Sequence, residues 1–104
     1  MIDGEGFGSP QVSEAYMLAK VRNALHLSTQ AYDAELQIYI NAALLDLGVA
    51  GIDTSDNDDL LTTAIITYVK MHFGAPSNYD QLERSYNEQK AQMQTCSDYN
   101  FEEV

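Results

Sequence analysis

Residues 53–59, Asp-Thr-Ser-Asp-Asn-Asp-Asp, gather carboxylate and hydroxyl oxygens more densely than any other stretch of the chain. Asp53, Ser55 and Asn57 stand at alternate positions, as the first ligands of a calcium-binding EF-hand do. The pattern fails where it is most specific. Its sixth position is Asp58 instead of the glycine that makes the sharp turn, and its twelfth is Ala64 instead of a bidentate glutamate. A plainer role accounts for these acids: Asp56 or Asn57 caps the following helix, and Asp58 and Asp59 favour its positive end.

Other reactive side chains lack the company their chemistry needs. Gly4, Gly6 and Gly8 have the spacing of a phosphate loop, but no strand precedes them and no lysine follows. His26 lies between two leucines with no second ligand at metal-binding spacing, which favours a structural role. Cys96, the single cysteine, is surrounded by Gln94, Thr95, Ser97 and Asp98, none of them a base to activate a thiolate. No nucleophile elbow, Walker loop or zinc spacing is present. A structural or interaction protein without catalytic residues, metal or cofactor is expected.

Charge narrows the partners. Five basic residues against 16 acidic ones give a formal net charge of −11. Such a surface repels nucleic acid and acidic membranes. Two opposite uses fit: mimicry of DNA to occupy a basic partner, or a wall past which DNA slides without sticking. Simple solubility is the bland alternative. No apolar run approaches the roughly 20 residues that span a bilayer, the first ten residues show no leader pattern, and one cysteine excludes an internal disulfide. A soluble single domain is expected from 104 residues.

The elements that must position any site read as four helices. Residues 1–11 are expected to form a flexible arm, with Phe7 its one sticky residue. A first helix is placed from Ser13, with Val12 stapled to Met17 and an inner face of Met17, Leu18, Val21, Ala24 and Leu25. Ser28 or Thr29 is expected to cap a second helix over 33–47, which is apolar on two sides. Leu36, Ile40, Ala43, Leu44 and Leu47 make one stripe; Ala34, Ile38 and Leu45 make a nearly opposite one. That helix is either sandwiched at the centre of its own chain or gives its second face to another subunit.

A third helix over 59–73 is apolar around most of its circumference, leaving Thr63, Thr67 and Lys70 as a polar strip; its β-branched residues keep a buried strand as the competing reading. Gly74 and Pro76 turn the chain into a largely polar fourth helix, starting after Ser77 or Asn78 and running to about Cys96, with a narrow stripe of Tyr79, Leu82, Tyr86 and Met93. Residues 12–96 thus make an all-α compact bundle of about four helices. Residues 97–104 form an acidic tail whose Tyr99 and Phe101 are candidates for docking on a partner.

Three stretches carry a family resemblance. They are Val12-Ser13-Glu14 through Val21-Arg22-Asn23-Ala24-Leu25; Asp33-x-x-Leu36-x-x-x-Ile40-x-x-Ala43; and residues 64–74, Ala-Ile-Ile-Thr-Tyr-Val-Lys-Met-His-Phe-Gly, followed by Pro76 and residues 79–93. In these the chain resembles the small helical head-to-tail connector proteins of tailed bacteriophages, which complete the head. The third stretch is the most distinctive, and the arm and tail lie outside all three. The resemblance implies a virion protein, assembled in the host bacterial cytoplasm, that forms a homo-oligomeric ring. One side of the ring faces the portal protein, the other the tail-proximal connector or tail proteins, and DNA passes through its centre without specific binding. It implies no enzymatic activity and no cofactor; that no membrane is a partner is expected from the charge and the absence of a long apolar run.

Within that reading Ala34, Ile38 and Leu45 are the candidate subunit contacts if they prove exposed. Asp56, Asp58 and Asp59 are a candidate DNA-repelling loop. The runner-up is an acidic helical DNA mimic that inhibits a nucleic-acid-binding protein, which would need its acids at phosphate-like spacing along one face.

Overall fold

Four helices account for the described part of the chain: α1 (Gly8–Ala24), α2 (Asp33–Val49), α3 (Asp59–His72) and α4 (Tyr79–Gln94). The structure, a computed structural model, describes residues 8–55 and 58–95, the side chains of 8–14 excepted. Residues 1–7, Asp56, Asn57, Cys96, Tyr99 and Phe101 therefore lie outside the described residues, as do the Ser13 side chain and the Val12 staple. The fold is an all-α bundle, flattened to 18 Å in its shortest dimension.

The helix ends show why the chain breaks where it does. α1 starts at Gly8, not at Ser13, so residues 8–11 of the expected arm are helical. Pro10 falls in the first turn, where a missing N–H removes no intrahelical bond. At the other end the Leu27 amide donates to the Arg22 carbonyl and the His26 amide to that of Asn23, both at 3.0 Å, which is a Schellman closure. His26 takes the left-handed position of that closure at φ +60°. Its structural role is thus a helix stop.

α2 ends in the same way, with Ile52 bonded back to Leu47 at 3.1 Å, Gly51 to Gly48 at 3.0 Å, and Gly51 at φ +88°. Ile52 and Leu47 are both fully buried and supply the apolar contact that accompanies such a cap. Its start differs from expectation. Neither Ser28 nor Thr29 caps it; Tyr32 holds that position without a side-chain bond, while the Thr29 hydroxyl accepts from the Ala31 amide at 3.1 Å and shapes the preceding turn. The cap of α3 is Asp58, in extended backbone, accepting from the Leu61 amide at 2.9 Å; the expected Asp56 or Asn57 is displaced by one or two residues. Asn78 precedes α4 as expected but makes no side-chain cap.

The centre of the bundle is α3, not α2. It packs against α4, α2 and α1, and Leu61, Ala64, Ile65, Val69 and Met71 are buried around its circumference. Thr67, assigned to a polar strip, is buried too, its hydroxyl donating to the Thr63 carbonyl at 3.0 Å. α1 contributes Met17 and Val21 to this core, α2 contributes Leu36, Ile40, Ala43 and Leu47, and α4 contributes Tyr86 and Met93.

Candidate assembly surface

α2 is held in place from its inner side and its ends. At its start the Arg22 guanidinium grips Asp33 in a two-pronged bond, Nε to one carboxylate oxygen and a terminal nitrogen to the other, each at 3.0 Å. This planar fork fixes the angle between α1 and α2 as well as their attraction. Near its end Asp46 accepts from the Tyr86 hydroxyl at 2.6 Å and from the Lys90 ammonium at 3.1 Å, both on α4. Gln94 adds a bond to the Ala50 carbonyl at 3.0 Å.

Asp46 sits in a balance of opposing effects. Partial burial raises its pKa, but the hydrogen bonds from Tyr86 and Lys90, with the lysine's charge, prevail and hold the carboxyl below its ordinary value. Tyr86 is pushed well up, by burial first and then by the adjacent carboxylate. A charged Asp46 and a neutral Tyr86 are thus the stable pair at neutral pH.

The opposite face of α2 is exposed among the described residues. Ile38 is 64% exposed, Leu45 71% and Val49 85%, and Ala34 is exposed as well. At 100° per residue these four fall within about 60° of arc and stretch about 22 Å along the axis. The flanks are polar but carry their own partners: Gln37 donates to Asn41 at 3.0 Å, and the Tyr39 hydroxyl to Glu35 at 2.9 Å. The second stripe read from the sequence is therefore surface, one residue longer than expected because the helix continues to Val49. Extending the 100° projection past Leu47 would have found Val49. The two clamps on α2 join residues 11, 40 and 44 apart in sequence, and no local pattern announces them.

The acidic segment has a different character. Asp53 accepts from the Ser55 amide at 2.9 Å and hydroxyl at 2.7 Å, a self-contained turn that lowers the pKa of its carboxyl. Asp58 is occupied by capping, and Asp59 lies exposed in the first turn of α3. Among the described residues no cluster of three or more His, Cys, Asp or Glu side chains is placed to hold a metal ion. His72 sits instead in an aromatic group on α3 and its neighbours, 4.4 Å from the Tyr68 ring centre, 5.9 Å from Tyr39 and 6.3 Å from Tyr79.

An apolar stripe is thus exposed on an otherwise acidic helical chain. The family described as phage connector protein matches residues 17–100, most of the chain. The chain belongs to the phage connector protein family. No curated protein and no solved structure matches it. The connector is accordingly a structural component of a phage virion that meets other head or tail proteins. Among its described residues no helix is long and apolar enough to cross a membrane.

Proposed function

We propose that this connector completes the phage head as a homo-oligomeric ring between the portal protein and the tail-proximal proteins, assembled in the host bacterial cytoplasm and leaving DNA a central passage. The observation that carries the reading is the exposed α2 stripe of Ala34, Ile38, Leu45 and Val49 on a chain of this family. In a ring the contact is heterologous: the stripe of one copy meets a different surface of the next, and rotation closes the circle. The net charge of −11 supports the passage, because an acidic wall does not hold a phosphate backbone. Asp56, Asp58 and Asp59 are the candidates for that wall.

Light scattering and electron microscopy of the purified chain, alone and with portal protein, test the ring. Rings on the portal are expected; a chain that stays monomeric with the portal and displaces DNA from a basic protein would favour the mimic instead. The wall is tested separately by the triple change Asp56→Asn, Asp58→Asn and Asp59→Asn. Asparagine keeps the α3 cap while removing charge. Slower DNA ejection from assembled particles is expected, and unchanged ejection excludes the loop from that role.

A further inference from the structure

A cleft of about 320 Å³ opens between the end of α1, the last turn of α3 and the start of α4. Leu25, Phe73, Pro76 and Leu82 give it an apolar lining, and His26 and Lys70 add donors. The volume is in the range of small binding pockets. Arg22 and Lys90 are bound to Asp33 and Asp46, and Lys20 lies over the Tyr16 ring at 4.6 Å. Lys70 and Arg84 form no ion pair with any described residue, and of these two it is Lys70 that lines the cleft. In a chain with 16 acidic residues, a lysine that pairs with none of the described ones and stands beside an apolar cleft selects for an acidic and aromatic occupant.

The chain contains such a segment. Residues 97–104 read Ser-Asp-Tyr-Asn-Phe-Glu-Glu-Val, two aromatic side chains two positions apart with three acids around them. We propose that this segment from a neighbouring copy docks in the cleft, an aromatic ring among Leu25, Phe73 and Leu82 and a carboxylate opposite Lys70. The neighbour, not the chain itself, is the donor because of reach. α4 runs away from the cleft, so Thr95 lies about 20 Å along the helix axis from Leu82. Phe101 is six residues beyond Thr95, and six extended residues span at most about 21 Å. The chain's own tail would have to double back along α4 perfectly taut, whereas a copy alongside delivers the segment with slack.

The inference rests on assembly of copies but does not need a closed ring. A fluorescein-labelled peptide of residues 97–104 is titrated into full-length chain carrying Phe101→Ala, whose own tail is disabled and whose cleft is intact. Saturable binding is expected, weakened about tenfold or more by Lys70→Glu in the chain or by Phe101→Ala in the peptide. Absent binding, or binding indifferent to both changes, overturns the proposal. Disulfide trapping in a Cys96→Ser background identifies the donor. Chains with Leu82→Cys mixed with chains with Phe101→Cys should yield cross-linked dimers; dimers absent from the mixture, with an internal cross-link in a chain carrying both changes, would assign the tail to its own cleft. Rings that form on the portal while the peptide fails to bind would sink this inference and leave the proposed function standing.

Discussion

Replacing Ile38 and Leu45 together by glutamine separates what α2 does for its own fold from the contact with a neighbour proposed for it. Full burial of an isoleucine or leucine side chain contributes ~1.5–3 kcal/mol. With 64% of Ile38 and 71% of Leu45 still exposed, about two-thirds of that, or ~1–2 kcal/mol each, remains available to a partner. The pair thus amounts to ~2–4 kcal/mol per contact, about 30- to 1,000-fold in association. Translational and ordering costs are the same for both proteins, so they cancel in the comparison. Inside the subunit the change should be nearly silent, because glutamine is a good helix former and surface substitutions shift stability by about 0.5 kcal/mol or less. Urea unfolding followed by circular dichroism reads the subunit; light scattering with portal protein reads assembly. Assembly at unchanged concentration would refute the placement of the contact on this stripe. A large fall in the urea midpoint would show that the stripe is core after all.

The bond from Tyr86 to Asp46 should give a pH-dependent loss in Tyr86→Phe. A hydrogen bond to a charged group contributes ~1.5–3 kcal/mol, and with the Asp46 side chain 39% exposed a figure near ~1 kcal/mol is expected at pH 7. Because the folded Asp46 pKa is depressed, its contribution is present above the unfolded value, near 3.9, and is lost as the pH falls through the folded one. The deficit of Tyr86→Phe in urea titrations should therefore shrink in acid, and a deficit of constant size from pH 7 to pH 2 counts against the ionised clamp. The two left-handed helix stops predict opposite signs: His26→Gly should stabilise by ~0.5–1 kcal/mol, and Gly51→Ala should destabilise by ~1 kcal/mol. No heavy atom lies within 4 Å of a Cβ built at Gly51, so backbone strain alone is at issue there, and equal thermal stability of Gly51→Ala and the parent would contradict it.

The order and type of the helices were legible because their punctuation is local. Asp33, Gly51, Asp59 and Asn78 stand within two residues of observed ends, and Gly51 acts through its own backbone there. The choice of cap was less legible. Asp56, Asn57 and Asp58 have nearly the same side-chain chemistry, and only the extended backbone at Asp58 decides which one reaches the Leu61 amide. Which helix is central was only half legible: the all-round apolar pattern of α3 suits the middle of a bundle, but the two stripes of α2 made it look the organising element. α2 and α3 are both apolar beyond a single face, and the difference lies in α4, whose Tyr86 and Met93 pack against α3 and leave the far side of α2 open. Periodicity finds the stripe of Ala34, Ile38 and Leu45, but only the packing shows that the described residues leave it exposed.

That arrangement also bears on how so acidic a chain approaches a copy of itself. Like charges on two surfaces repel most within a Debye length, about 8 Å at physiological ionic strength. α2 carries three acids, Asp33, Glu35 and Asp46. Asp33 is bound to Arg22, Asp46 to Lys90, and Glu35 accepts from Tyr39. Two of the five basic residues of the chain are thus committed to the ends of this one helix, and no charged residue lies between Leu36 and Leu45. The clamps that orient α2 therefore also offset two of its three carboxylates, while Asp53, Asp58 and Asp59 lie past its end. In the proposed ring, a subunit built this way keeps net repulsion across most of its surface and relaxes it along one apolar line.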